Sequence, residues 1–188
     1  MRQTTLLVIC VLMAGLLATS AWAATTVPPP ADTLKIDYFS NANTAGAPDG
    51  TVRITNPNTN GGNIYAAIYV FDPDQEMTEC CTCILTPDGL VTLSVNHDLT
   101  GNPLTGVVLT TGLIKLVSST GSSASKLAPT AAIRSWGTHI QNSNFSETET
   151  ASQDATFSSN EESRLNSECA AIQIDGSTHG VCSCGTGE

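Results

Sequence analysis

Asn63-Ile64-Tyr65-Ala66-Ala67-Ile68-Tyr69-Val70-Phe71 is a run rich in Ile, Tyr and Val that stops at Asp72-Pro73-Asp74. β-Branched and aromatic residues favour a pleated backbone, and Asp-Pro-Asp is turn chemistry, so these residues read as a strand. Downstream, 79–85 and 90–95 predict two more strands, joined by Thr86-Pro87-Asp88-Gly89, a hairpin-type turn. Upstream, Thr51-Val52-Arg53-Ile54-Thr55 is a short alternating strand closed by Asn56-Pro57-Asn58. Before it, Leu34, Ile36 and Tyr38 alternate with Lys35, Asp37 and Phe39, and 41–50 then supplies turn residues. Residues 107–117 predict one or two strands, with a break near Thr111-Gly112, and 118–125 reads as flexible. Residues 131–140 predict a strand, with a short helix as the alternative. About seven short strands at turn-punctuated intervals favour a mainly β fold, an antiparallel β-sandwich for which an immunoglobulin-like order is one option.

From 141 to 163, 12 of 23 residues are Ser, Thr or Asn and none is basic, which predicts a long mobile loop with at most an edge strand. One helix follows. Ser159-Asn160-Glu161-Glu162 fits a capping box with Ser159 as the cap, and Leu165, Cys169 and Ile172 fall at i, i+4 and i+7 on one face.

The first 23 of the 188 residues read as an export signal: Arg2, an apolar stretch over 6–18, and the small-x-small pattern Ala21-Trp22-Ala23. That stretch is short of the ~20 residues that span a bilayer, which disfavours a membrane anchor. Residues 24–32, with Pro28, Pro29 and Pro30, form a Pro-rich linker, and 33–188 form a single β-rich domain. The chain is expected to be periplasmic, secreted or at the cell surface. Seven Lys and Arg stand against 17 Asp and Glu, for a net charge of −10. Without a basic cluster, nucleic acid and anionic lipid are not expected partners, since both are bound by displacing counterions with Lys and Arg. A second copy of the chain and a cell-surface component remain as partner classes.

Once Cys10 leaves with the signal, six cysteines remain: Cys80, Cys81, Cys83, Cys169, Cys182 and Cys184. An even number behind an export signal predicts a disulfide framework. Thiolates at this density also suit zinc or copper, with His97, His139 or His179 as further ligands, but two Cys-x-x-Cys knuckles are absent. Six cysteines allow 15 connectivities. If residues 79–85 form a strand, Cys81 and Cys83 share one face and Cys80 takes the other. Laying 181–184 antiparallel to that strand pairs Cys81 with Cys184 and Cys83 with Cys182, leaving Cys80 for Cys169 on the helix.

Asp72, Asp74, Glu76 and Glu79 are a weak candidate calcium cluster, because the EF-hand order and its glycine are missing. No Gly-x-Ser-x-Gly, His-Glu-x-x-His or Gly-rich phosphate loop occurs, so no catalytic residue is assigned and no cofactor is expected.

Three stretches resemble a family of uncharacterised secreted bacterial proteins. They are Arg53-Ile54-Thr55-Asn56-Pro57 with Tyr69-Val70-Phe71-Asp72, Glu79-Cys80-Cys81-Thr82-Cys83 leading to Asn102-Pro103-Leu104-Thr105-Gly106, and His179-Gly180-Val181-Cys182-Ser183-Cys184. The resemblance implies a bacterial, exported, cysteine-braced domain and carries no role onto any residue. The expected function is that of an exported non-enzymatic β-domain, structural or adhesive. The alternatives are a small-ligand or metal (calcium, zinc) binding module and a hydrolase with an unrecognised site, which would need His97, His139 and His179 to converge with a carboxylate.

Overall fold

The computed structural model describes residues 33–174 and 177–185; the expected export signal (1–23) and the expected linker (24–32) lie outside them. Nine strands form two antiparallel sheets: β1 (Leu34–Ser40), β2 (Thr51–Thr55), β3 (Ile64–Phe71), β4 (Met77–Leu85), β5 (Leu90–Ser94), β6 (Thr111–Ser119), β7 (Arg134–Gln141), β8 (Ser146–Ala151) and β9 (Gln153–Ala155). The order is β4-β3-β6-β1-β9 in one sheet and β5-β2-β7-β8 in the other. Helix α1 (Ser159–Ile174) follows β9, and a single turn of π-helix, Val95–Leu99, follows β5.

The run 63–71 becomes β3, held between β4 and β6 and buried on both faces. Ile64, Ala66, Ile68 and Val70 enter the core between the sheets with Val52, Ile54, Leu93, Ile114 and Leu116. Ala67, Tyr69 and Phe71 point the other way, into a second core that α1 covers with Leu165, Cys169 and Ile172. The domain is therefore three layers, sheet on sheet with a helix outside. The predicted helix face holds, but its cap shifts by one residue. Ser158 Oγ accepts from Glu161 N at 3.2 Å, so Ser158 and not Ser159 takes the cap position three residues before a Glu.

The Thr86–Gly89 turn does not close a hairpin within a sheet. Gly89 N donates to Thr86 O at 2.9 Å, and Asp88 has φ 58°, so the turn sends the chain from β4 across to β5 in the other sheet. The reason lies in Asn56, which is fully buried. Its backbone bonds Asp88 N and Gly89 O, and its amide donates to Leu85 O at 3.1 Å, binding the turn to the end of β2.

Two expected loops are in part ordered strand, and the edge strand allowed for in the second is present. Residues 107–117 yield one strand starting at Thr111, and Ser118 and Ser119, read as flexible, are buried at its end. The expected loop over 141–163 contains β8, paired with β7 through a tight turn in which Asn142 and Phe145 adopt positive φ, and then β9 beside β1. Ser-Glu-Thr-Glu-Thr-Ala lacks an apolar half because β8 is an exposed edge, where charged side chains are compatible with pairing on one side only. Residues 131–140 resolve as strand, β7.

Candidate functional site

All three disulfides start from β4. Period-two alternation turns Cys80 toward the helix and Cys81 and Cys83 toward the space between the sheets, as their partition between the two cores shows. Cys80 bonds Cys169 with Cα atoms 5.8 Å apart, as the strand period predicts. The other two pairs differ from the expected ones: Cys81 bonds Cys182 (Cα–Cα 5.2 Å) and Cys83 bonds Cys184 (5.3 Å), so the tail runs parallel to β4. Gly180 sets this direction. Cys80 N donates to Gly180 O at 2.8 Å and Gly180 N donates to Asn102 O at 2.7 Å, which delivers the tail at the Cys80 end of β4 and leaves only the direction toward Cys83. Gly180 has φ +79°, and a Cβ there would lie 2.3 Å from Ile172 Cγ2, so glycine alone fits. The tail then closes the side of the sandwich. Cys182 packs in the inter-sheet core, Ser183 N donates to Asp98 O, and Gly185 lies against the Thr92 carbonyl of β5.

The acidic cluster does not gather. Asp72 Oδ1 accepts from Glu76 N in the exposed β3–β4 turn, with Asp74 and Glu76 directed to solvent, whereas Glu79 is fully buried one strand position past a bulge. Glu79 Oε1 accepts from Asn102 N at 3.0 Å, while Oε2 has no partner, and burial pushes its carboxyl up to about 7. Among the described residues, the one group of metal-type ligands within reach of one another is Cys81, Cys83 and Cys184, whose sulfurs lie within 4.8 Å of each other and are engaged in disulfides.

The three histidines do not converge. His97 and His179 line a shallow cleft of about 440 Å3 with Asn43, Asn96 and Asn102. His139, on β7, is buried elsewhere and forms part of a cross-sheet polar cluster that sequence reading missed. Its Nδ1 faces the Tyr38 carbonyl at 2.9 Å, and its Nε2 faces Thr150 Oγ1 at 2.8 Å and Asp37 Oδ1 at 3.3 Å. A carbonyl only accepts, so Nδ1 carries the proton. A neutral ring accepts the Thr150 hydroxyl at Nε2, and a protonated ring donates there toward Asp37. Asp37 Oδ1 also accepts from Tyr38 N, and Oδ2 accepts from Ser152 Oγ at 2.7 Å. Gly137 makes the approach possible, since a Cβ there would stand 2.6 Å from Asp37 Oδ2.

Asp37 is buried because the 35-37-39 face of β1 turns toward the second sheet, where Phe39 joins the core. Tyr38, 46% exposed, stacks on the His139 ring at 4.1 Å and borders a cleft of about 420 Å3 with Ile36, Leu113 and Gln153. The clue in the sequence was an Asp between Ile36 and Tyr38 in a short strand, but its side-chain partners His139 and Ser152 are remote, the latter 115 residues away. Chemically the cluster can hold a polar or ring-shaped ligand against Tyr38.

No family model matches the chain, and no curated protein matches it. Among solved structures, the crystal structure of Thermotoga maritima 1070 aligns with 65% of this chain and 94% of its own, at 10% identity and a TM-score of 0.42. A likeness of that depth carries no argument.

Proposed function

We propose that the protein is an exported, non-enzymatic β-domain serving as a structural or adhesive component of the cell surface or extracellular space. The observation that carries this reading is the convergence of three disulfides on β4, which hold the helix to one face and the tail across the gap between sheet edges. Disulfides persist in oxidising compartments, and no helix among the described residues is long and apolar enough to cross a membrane. Export through a cleavable signal over 1–23, and membership of the secreted bacterial family that the Glu-Cys-Cys-Thr-Cys and His-Gly-Val-Cys-Ser-Cys stretches resemble, belong to the same proposal.

Fractionation of producing cells with thiol blocking, followed by intact mass, tests it. The expected species starts at Ala24, lacks six hydrogens and sits outside the cytoplasm, and its loss weakens surface attachment or cell cohesion. A cytoplasmic pool with free thiols overturns the reading. So does turnover of ester, peptide or glycoside substrates that His139→Ala abolishes.

A second reading, a small-ligand binding module, is favoured by the half-exposed Tyr38 ring stacked beside its cleft. It expects quenching of Tyr or Trp fluorescence by ring-bearing ligands such as sugars or nucleobases, lost in Tyr38→Ala.

A further inference from the structure

We propose that the two facing Cys-x-Cys segments, Cys81/Cys83 on β4 and Cys182/Cys184 on the tail, are a latent tetrathiolate site that takes one zinc ion when an external dithiol opens both bonds. The placement of the sulfurs carries it. Cys81, Cys83 and Cys184 hold their Sγ atoms within 4.8 Å of one another, and the fourth sulfur, that of Cys182, lies outside this group but is bonded to Cys81. Tetrahedral zinc at about 2.3 Å from each thiolate sets sulfurs about 3.8 Å apart, and the Cys81 sulfur lies within 4.8 Å of both sulfurs of the neighbouring Cys83–Cys184 bond. What must change is the separation within each bonded pair, from about 2 Å to about 3.8 Å.

The two halves of the site are built to share that movement unequally. β4 is held along its length by β3, whereas the tail is in no ladder and meets the body through single hydrogen bonds such as Cys80 N to Gly180 O and Ser183 N to Asp98 O. A displacement of about 2 Å on the tail side therefore breaks no sheet pairing. The third disulfide stands apart: Cys80 and Cys169 are fully buried on the helix side of β4.

Access fits the order of events. Cys184 is half-buried and lines a cleft with Tyr65, Thr82, Ile84 and Val91. A thiolate of the dithiol attacks Cys184 Sγ and releases Cys83 as a thiolate. Its second thiol then displaces Cys184, and the reductant leaves as its own disulfide, two electrons and two protons passing to the protein. A second equivalent of dithiol opens Cys81–Cys182 in the same way. Zinc binding to the four thiols then releases up to four protons.

The test uses the full exported chain, reduced anaerobically with a limiting dithiol. Alkylation and mass mapping should show labels on Cys81, Cys83, Cys182 and Cys184 with Cys80–Cys169 intact. Cobalt(II), as a spectroscopic stand-in for zinc, should then bind one per chain with intense tetrahedral bands and sulfur-to-cobalt charge transfer, and zinc(II) should bleach them. Zinc should raise the melting temperature of the reduced protein and leave that of the oxidised protein unchanged. Cys182→Ser with Cys184→Ser should lose the spectrum, and Cys80→Ala with Cys169→Ala should keep it; that variant also carries the reading if the reductant opens all three bonds. Absence of a one-to-one cobalt spectrum in both reduced backgrounds overturns the proposal. So do bands of fewer than four thiolates, bands that survive in the tail variant, and a reduced protein that unfolds and is not restored by zinc.

Discussion

Glu79 places a carboxyl where water does not reach, with one oxygen bonded to Asn102 N and the other unpartnered. Its folded-state pKa of about 7 lies above the ordinary value of 4.5, so folding favours the protonated acid. The stability this contributes is complete below about pH 4.5 and is lost as pH rises through about 7. Glu79→Gln keeps an acceptor for Asn102 and removes the titration. Its unfolding free energy relative to wild type should rise between pH 5 and pH 8, by on the order of 3 kcal/mol, in denaturant titrations at the two pH values. A flat difference would mean that Glu79 is charged and hydrated in the folded protein. Gly180 makes a different demand, on shape. Gly180→Ala must place a methyl against Ile172 at positive φ and should lose about 2–4 kcal/mol in guanidinium unfolding.

Helix α1 owes its start to Ser158. Ser158→Ala should cost about 1 kcal/mol, and Ser159→Ala, one residue inside the helix, only a few tenths; equal losses in thermal melts would return the cap to Ser159. The difference shows what patterns reveal. The Leu165, Cys169 and Ile172 stripe, the β3 run and the division of Cys80 from Cys81 and Cys83 were legible because side-chain direction follows chain period. A capping box one residue upstream satisfies the same spacing, so sequence alone placed the cap only to within a residue. The tail direction was illegible for another reason: it depends on Gly180 meeting Asn102 and Cys80, contacts that no local period encodes. Strand β8 and the Asp37, His139 and Ser152 cluster share that limit, since their reasons for being ordered sit on other strands.

At the level of the whole molecule, the three bridges interlace, each opening inside the previous one and closing beyond it. With Cys80–Cys169 in place, the first tail bridge closes a ring of about 15 residues, about 3 kcal/mol in the chain-entropy picture, and the second closes a smaller ring, about 2 kcal/mol. Cys83→Ala with Cys184→Ala, or Cys81→Ala with Cys182→Ala, should each cost about 2 kcal/mol, and removing both pairs about 5 kcal/mol, more than the two losses added. Strict additivity in guanidinium unfolding of the oxidised variants would show that the tail bridges brace separate parts of the domain.

The separation of 101 residues between the halves of each tail bridge also bears on how the chain is made. Synthesis proceeds from the N-terminus, so Cys80, Cys81 and Cys83 exist as three neighbouring thiols long before any native partner has been polymerised. During that interval their available partners are one another or an outside oxidant, and any bond so formed has to be exchanged once Cys169, Cys182 and Cys184 have been made. Maturation of this domain is therefore a late event, in which segments 89 and 101 residues downstream complete the covalent structure of a strand already laid down.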